Sequence, residues 1–212
     1  VEQFVYPVEG REKPKLLLKI LKQEEVESAL VFVRTKFGAD RLASQLTRGG
    51  MQVEVMHSDR NMKERVRALE AFRERHVKVL IATDVAQRGI DVEGISHVIN
   101  FDAPKDPEGY VHRVGRTARA GEKGVAITFM SGGEIGDVAA VEHLLGFRIA
   151  RVHVPGFSFH APETADGEQP VVEMPPTVQQ QKADRTTRGR RMGARAGKEL
   201  SPEELARVLK VG

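Results

Sequence analysis

Val77-Lys-Val-Leu-Ile-Ala82 is a short run that is apolar at every position except Lys78. A strand with one face in solvent alternates polar and apolar residues, so a nearly continuous apolar run is typical of a strand buried on both faces. The polar stretch Thr83-Asp84-Val85-Ala86-Gln87-Arg88-Gly89-Ile90-Asp91 follows it directly. Together they predict a central strand of a parallel sheet with a loop at its carboxyl end.

Six similar β-rich runs are spaced along the chain, with helical stretches between them. The runs are Gln3–Val8, Ala29–Val33, Gln52–Met56, His97–Phe101, Val125–Phe129 and Ile149–Val154. The helical stretches place apolar residues on one stripe: Leu17, Ile20 and Leu21 within Lys15–Lys22, then Phe37, Leu42 and Leu46, then Val66, Leu69 and Phe72. This alternation predicts an α/β fold in which a mostly parallel sheet carries helices on both faces.

The composition excludes several classes of protein. The chain has 212 residues, and 40% of them are hydrophobic, which is enough for a core. It has no cysteine, which excludes a disulfide framework and a cysteine-ligated zinc site. No apolar run approaches the ~20 residues that span a bilayer, and the first residues do not resemble a signal peptide. We therefore expect a cytoplasmic protein with no membrane partner, and the missing initiator Met predicts a fragment of a longer chain.

The charge is unevenly distributed along the chain. The total is +3, but residues 1–155 carry +2, residues 156–181 carry −4, residues 182–198 carry +6 and residues 199–212 carry −1. A concentrated basic segment next to a balanced body indicates a polyanionic partner.

These shifts in composition predict four regions. We expect one domain over residues 1–155 and a Pro-containing acidic linker over 156–181. Residues 182–198 form a basic Arg/Gly-rich tail without an apolar stripe, so we expect it to be disordered when free. Within 199–212, Ser201-Pro202-Glu203-Glu204 has the pattern of a capping box and predicts a short helix.

The loop after the central strand is the first candidate site. Ligands of α/β proteins bind at the carboxyl ends of the strands, where Thr83–Asp91 combines a hydroxyl, two carboxylates, an arginine and Gly89. Gly89 permits close approach of the backbone, and its N–H could face a phosphate. The alternative is an ordinary connection from strand to helix with an Asp cap.

The second candidate site is His112-Arg113-Val114-Gly115-Arg116-Thr117-Ala118-Arg119. Its three arginines are spaced by three, on or just after a helix predicted to begin near Asp106–Pro107, which places them on roughly one face. Guanidinium groups bind phosphate through two hydrogen bonds, so this spacing indicates an anion site. The alternative is a solvated basic face paired with Glu108 and Glu122, but a solvated helix would not need the interruption at Gly115.

With these two motifs, the chain resembles the second RecA-like domain of the DEAD-box RNA helicases. The pairing of TDxxxRGxD with HRxGRTxR is specific, and the likeness covers about residues 1–155. It implies a RecA-like fold and a role in ATP-dependent separation of RNA strands. The matching stretches are Ala29–Lys36, His57–Arg65, Ala82–Asp91, Val98–Pro104 and Tyr110–Gly121.

The resemblance implies a set of ATP contacts. Arg116 and Arg119 match the arginine fingers that reach ATP on the other RecA-like domain. Asp91 matches a residue that contacts the ribose, and Gly89 one that lies close to the nucleotide. Residues that link the two domains near the phosphates are matched by His112 and Arg113.

The resemblance also implies RNA as a partner. Contacts to the RNA backbone are matched by Thr83, Arg88, Arg65, Ser58 and Arg34. Two positions depart from the family pattern: Met62 stands where Gln is usual, and Ser58 where Gly is usual. The change at Met62 removes a hydrogen-bonding amide three residues before Arg65. His57 is open to two interpretations, a metal ligand or a structural histidine, and no partner at ligand spacing favours the first.

Some elements of an ATPase are missing from the sequence. There is no G-x-x-x-x-G-K-[ST] loop, because Gly193–Lys198 is one residue too short and Glu199 follows it, and there is no Asp-Glu-Ala-Asp segment. The resemblance therefore implies that ATP and Mg²⁺ are held mainly by an N-terminal RecA-like domain, and that this chain alone is inactive. Three other classes remain: a non-catalytic RNA-binding or scaffold module, a related DNA helicase, and a dinucleotide-dependent enzyme. A dinucleotide-dependent enzyme would carry a G-x-G-x-x-G sequence after its first strand, and this chain does not.

Overall fold

A computed structural model of the chain describes residues 1–23, 25–84, 92, 94–118 and 124–160. The predicted basic tail and the predicted terminal helix lie outside these residues. All seven predicted β-rich runs contain a strand. The strands are β1 (Glu2–Pro7), β2 (Ala29–Phe32), β3 (Val53–Met56), β4 (Val79–Ala82), β5 (His97–Asn100), β6 (Val125–Met130) and β7 (Ala150–Arg151).

The seven strands form one sheet in the order β3-β4-β2-β5-β6-β1-β7. Every pair of neighbours is parallel, and β2 lies between β4 and β5, with Ala29 in register with Val79 on one side and His97 on the other. The predicted parallel sheet is therefore confirmed. Because all strands run the same way, their carboxyl ends lie along one edge of the sheet.

Five α-helices connect the strands in the described part of the chain. Capping residues mark the first turn of several of these helices. They are α1 (Lys13–Leu21), α2 (Lys36–Arg48), α3 (Met62–Arg73), α4 (Pro107–Val114) and α5 (Ile135–Leu145). Thr35 caps α2 by accepting a hydrogen bond from the Gly38 N–H at 3.0 Å. Asp106 caps α4, as its position before Pro107 predicts.

The helices cover both faces of the sheet, which confirms the predicted layers. On β2, Val31 packs in one core with α1 and α2, whereas Phe32 packs on the opposite face with α3. Helices α4 and α5 lie on the same face as α3 and pack against β6 and β1 in a third cluster. The strands are buried on both faces, which is why they read as continuous apolar runs.

Two of the predicted apolar stripes are wrong in part. Phe37 is 76% exposed and Val66 is 45% exposed, and small residues, Ala39 and Ala68, lie in the core instead. Phe37 precedes Leu42 by five residues, which places it about 140° away around the helix. Helix α5 was not singled out from the sequence, because three glycines lie in and just before its first turn.

The chain after β7 continues to pack against the domain. Phe157 lies under the ammonium groups of Lys15 and Lys19, 5.8 and 5.6 Å from its ring centroid. The Glu9 N–H donates to the carbonyl oxygen of Ser158 at 2.8 Å. These contacts extend the packed body to His160, five residues past the predicted boundary at Pro155. No helix in the described part is long and apolar enough to cross a membrane.

Candidate functional site

The carboxyl ends of the parallel strands form the edge at which the candidate residues gather. Ser58, Thr83 and Arg34 follow β3, β4 and β2, which are neighbours in the sheet. The Thr83 N–H donates to the carbonyl oxygen of Met56 at 3.2 Å, so the ends of β3 and β4 stay joined. Ser58 is exposed and Thr83 is buried.

Arg34 leans along this edge toward β5 and β6. Its backbone N–H donates to Asp102 Oδ2 at 2.8 Å, and its Nη2 donates to the Ala103 carbonyl oxygen at 3.2 Å. The same Nη2 lies 3.7 Å from Glu134 Oε1 and 3.7 Å from Asp137 Oδ2. The side chain stays 43% exposed. Its guanidinium therefore lies over the ends of β5 and β6.

Arg65 lies at the start of α3, close to Ser58 in sequence. Asn61 and Glu64 form a capping box, with each side chain accepting a hydrogen bond from the other's backbone N–H at 2.9 Å. This cap fixes where α3 begins and places the half-buried Arg65 in its first full turn. Met62, at the position where the family usually has Gln, is 69% exposed.

His57 is buried and faces α2. Its Nε2 lies 3.1 Å from Asp40 Oδ1, and Arg60 Nη2 donates to the same oxygen at 2.9 Å. The described residues contain no group of three or more His, Cys, Asp or Glu side chains that could hold a metal ion. His57 therefore ties the loop after β3 to α2, which is the structural interpretation of this residue.

Arg113 is the most deeply buried charged side chain at the edge, and three elements position it. Its Nε donates to Asp84 Oδ1 at 2.7 Å, and its Nη2 donates to Asp84 Oδ2 at 2.6 Å. Its Nη1 donates to Asn100 Oδ1 at 3.0 Å and to the Asp102 carbonyl oxygen at 3.1 Å. The guanidinium carbon lies 5.0 Å from the centroid of the Phe32 ring. All three guanidinium nitrogens are therefore engaged within the domain.

Two arginines of the second motif, Arg113 and Arg116, lie in the described part of the chain. Helix α4 ends at Val114, and Gly115 is its cap, so Arg116 lies in the turn beyond the helix. Its backbone N–H donates to the Arg113 carbonyl oxygen at 3.1 Å. Arg116 is half-buried and His112, in the last turn, is exposed. Arg113 therefore lies within α4 and Arg116 just after it.

Lys13 and Glu134 form a buried ion pair at the same edge that the sequence analysis missed. Lys13 Nζ donates to Glu134 Oε2 at 2.5 Å and to the Phe101 carbonyl oxygen at 2.8 Å. Burial acts to raise the pKa of Glu134, but the Lys13 ammonium and hydrogen bonds from Lys13 and Ser131 outweigh it and lower the pKa. The sequence signal was a lysine in the first turn of a helix, where the dipole favours acids.

Glu134 also organises the loops around that pair. Its Oε1 accepts from the Ala103 N–H at 3.1 Å, and its Oε2 accepts from the N–H and the hydroxyl of Ser131 at 2.9 and 2.6 Å. The ends of β5 and β6 are thereby tied to the start of α1. Four of the predicted site residues lie outside the described part of the chain: Arg88, Gly89, Asp91 and Arg119.

Comparisons with known proteins agree on one family. The family model of the helicase conserved C-terminal domain matches residues 12–121. The DEAD-box ATP-dependent RNA helicase CshA of Geobacillus kaustophilus is 40% identical over 169 residues, which make up 80% of this chain and 35% of that protein. The chain thus spans about a third of the length of the curated relatives it matches.

Two solved structures extend this agreement to the fold. The E. coli DEAD-box protein SrmB, bound to regulator of ribonuclease activity A, superposes with a TM-score of 0.72 at 33% identity, covering 77% of this chain and 97% of that chain. S. cerevisiae Dbp5 bound to RNA and ADP BeF3 superposes with a TM-score of 0.67 at 34% identity. The match covers 72% of this chain and 41% of that chain. The domain match, the relatives and the parallel sheet together show that this chain belongs to the DEAD-box RNA helicases and carries their C-terminal RecA-like domain.

Proposed function

We propose that this chain is the C-terminal lobe of an ATP-dependent RNA helicase. In this role it binds the RNA backbone along the carboxyl edge of its sheet and completes an ATP site on an N-terminal RecA-like domain. Its relatives are named as ATP-dependent RNA helicases, and the similar Dbp5 is bound to RNA and ADP BeF3. The alternative, a non-catalytic RNA-binding or scaffold module on the same fold, predicts RNA binding without any effect of ATP.

The observation that carries this proposal is the contact between Arg113 and Asp84. It joins the two motifs, which are far apart in sequence, through two hydrogen bonds of one guanidinium with one carboxylate. Because hydrogen bonds hold Arg113 in place, they also position the turn with Arg116, whose N–H donates to the Arg113 carbonyl oxygen. The proposed ATP-contacting turn and Asp84, at the end of β4, therefore belong to one edge.

Arg116 and Arg119 are the proposed arginine fingers. A guanidinium aimed at the transferred phosphoryl group stabilises the negative charge that develops on its oxygens and can raise the rate by orders of magnitude. Gly89 and Asp91 are the proposed contacts to the nucleotide. Mg²⁺, which would neutralise phosphate charge, is assigned mainly to the other domain, as the resemblance to the family implies.

His112 and Arg113 receive different roles in this proposal. Arg113 acts as a positioning residue, because its three nitrogens already bond within the domain. His112 is exposed at the end of α4 and is the residue of this pair that can contact the N-terminal domain.

The RNA contacts proposed for this edge involve the backbone of the strand. Hydroxyl and guanidinium groups that bind phosphates and 2′-hydroxyls do not read bases, so binding is indifferent to sequence. Arg34 must leave Asp137 and Glu134 to reach a phosphate on the β4 side of the edge. The proposed contacts are Ser58, Thr83, Arg65, Arg88 and Arg34.

The test is RNA-stimulated ATP hydrolysis by the full-length protein. Arg116→Ala should lower kcat by about 10³-fold or more with a much smaller change in KM for ATP. Arg148→Ala, an exposed arginine near β7, serves as the control and should leave both constants unchanged. A change in KM alone would contradict the finger assignment, and RNA binding that ATP leaves unaffected in the wild type would favour the scaffold module.

A further inference from the structure

A cavity of about 390 Å³ lies between α1 and α2, beside the carboxyl ends of β2 and β5. Its floor is apolar and includes Val33, Leu42 and the ring of Phe101. Its rim carries Arg11, Arg41 and Gln45, and no carboxylate lines it in the described part of the chain. A concave apolar surface with a few polar groups is typical of a ligand site.

The rim of this cavity is cationic. Arg11 and Arg41 are both exposed, and neither forms a salt bridge within 4.0 Å to a carboxylate of the described residues. The nearby Glu9 carboxylate accepts a hydrogen bond from the His160 N–H at 2.9 Å, and its pKa is lowered chiefly by His160, with the charge of Arg11 contributing least. Two guanidinium groups at the mouth of an apolar cavity favour a ligand that has a flat apolar part and an anionic part.

The cavity continues into the carboxyl edge. A second cavity of about 300 Å³ shares Gly10 and Phe101 with the first and is lined by Lys13, Arg34 and Asp102. The two cavities together form a groove that leads from the proposed RNA contact Arg34 to the space between α1 and α2.

We propose that a nucleotide of an RNA strand leaving the carboxyl edge binds in this groove, with its base in the α1–α2 cavity and its phosphate between Arg11 and Arg41. The inference rests on the proposed RNA-binding function and adds a subsite to it. The Phe101 ring supplies an aromatic surface, and the Gln45 amide offers both a donor and an acceptor to the edge of a base. Such a subsite adds affinity with little preference for one base.

An extended acidic peptide fits this groove less well. The larger part of its lining belongs to α1 and α2, and the exposed sides of these helices carry backbone N–H and C=O groups that are paired within each helix, so a peptide backbone would find few partners along them. An RNA strand needs none, because its phosphates and bases provide its contacts.

Gly10 allows a direct test of the subsite. A Cβ at Gly10 would have no atom within 4 Å, and its backbone is not in the left-handed region, so Gly10→Trp places an indole at the shared mouth of both cavities without strain. Gly136→Trp is the matched control, because Gly136 in α5 also has open space and lines neither cavity. Unfolding midpoints of both variants separate lost binding from lost folding.

The measurement is fluorescence anisotropy of the full 212-residue chain with a short and a long oligouridine. Gly10→Trp should weaken binding of the long RNA by about 5- to 150-fold, the range expected for a stacked base, and should barely affect the short RNA. Gly136→Trp should bind both as the wild type does. Arg41→Glu should flatten the slope of log affinity against log salt by roughly 0.7, and Arg148→Glu should not. Photo-crosslinking with 4-thiouridine RNA should label residues of the cavity in the wild type and not in Gly10→Trp.

The outcomes separate this inference from the proposed function. If Gly10→Trp and Arg41→Glu bind long RNA as the wild type does while Arg65→Ala weakens it, the subsite is overturned and the RNA edge stands. If none of the three changes weakens binding, the proposed RNA edge fails as well. An acidic peptide that protects the cavity from modification without displacing RNA would also overturn the subsite, in favour of a protein partner.

Discussion

Arg113 donates two hydrogen bonds to a single carboxylate, that of Asp84, over 2.7 and 2.6 Å. The two side chains differ sharply in environment: Arg113 is 2% exposed and Asp84 is 49% exposed. The buried guanidinium thus depends on a half-exposed carboxylate for its countercharge. Asn100 and the backbone of Asp102 complete its hydrogen bonds but supply no charge.

Asp84→Asn should therefore destabilise the fold more than its exposure suggests. Removing one partner leaves a buried charge without compensation, which we expect to lower the free energy of unfolding by about 2–4 kcal/mol. Urea unfolding of both proteins measures this as a lower midpoint with an unchanged slope. Glu70→Gln, at an exposed position on α3, is the control and should stay within about 0.5 kcal/mol of the wild type. Equal stability of the two variants would contradict the prediction.

His97 should make the free energy of unfolding depend on pH in a range above the pH at which exposed carboxylates titrate. Burial in β5 lowers the pKa of His97 to about 4, with Lys78 adding to the effect and Glu25 and Glu27 opposing it. The unfolded chain binds this proton near pH 6.5, so the unfolded state holds more protons between those values and falling pH favours unfolding.

We expect the wild type to lose up to about 3 kcal/mol of stability through His97 as the pH falls from about 7 to about 4. His97→Gln lacks this titration and should lose correspondingly less. Urea midpoints of both proteins across that pH range measure the difference. Parallel pH profiles would show that His97 is not the group responsible.

The pair of Lys13 and Glu134 should also lose stability on acidification, but at lower pH than His97, because the unfolded pKa of a glutamate lies below that of a histidine. Because the folded pKa of Glu134 is lowered, its stabilisation is complete above the unfolded pKa and is lost as the pH falls through the folded value. Glu134→Gln removes the nearer countercharge of the buried Lys13 ammonium and leaves only the Asp102 carboxylate, 3.8 Å away, so it should cost about 3 kcal/mol near pH 7.

The difference between wild type and Glu134→Gln should shrink once the pH falls below about 4.3, where an unfolded Glu becomes protonated. Thermal or urea unfolding of the two proteins at neutral and acidic pH checks this. Glu64→Gln, which removes only an exposed capping carboxylate, should cost less than half as much at neutral pH. A difference that stays constant down to acid unfolding would argue against the assigned pair.

Residues 182–198 should bind RNA without sequence preference. They carry seven bases and one acid, and each base that neutralises a phosphate releases counterions, with a slope of roughly −0.7 per contact for single strands. The full chain should therefore bind RNA more tightly than residues 1–181 and with a steeper dependence on salt. Affinities of the two across a salt series test this, and a full chain with the seven bases changed to Gln is the control. Equal affinities with parallel slopes would indicate that the basic segment pairs with the acidic residues 156–181.

The errors of the sequence analysis have a common physical origin. Phe37 was assigned to the apolar stripe of its helix because it is hydrophobic. The structure buries Ala39 instead, because the direction of a side chain depends on its angle around the helix. Val66 was assigned to the next stripe in the same way, but Ala68 lies in the core and Val66 is 45% exposed.

The amino-acid sequence alone is enough to predict those strands and helix starts that depend on a few neighbouring residues. Continuous apolar runs specify strands that are buried on both faces, and Asp106 followed by Pro107 marks where α4 begins. These signals act within a few residues, so they can be read without knowing the rest of the fold. The motifs that carry the proposed chemistry are local in the same sense.

Which of these local features come into contact depends on the tertiary structure. Lys13 and Glu134 are 121 residues apart, and Arg113 and Asp84 are 29 apart, yet each pair is in direct contact. Their contacts follow from the strand order β3-β4-β2-β5-β6-β1-β7, which brings the ends of strands distant in sequence to one edge. A strand's own residues specify that it is buried but not which strand lies beside it, because the inner strands β2, β4 and β5 are all short and buried throughout.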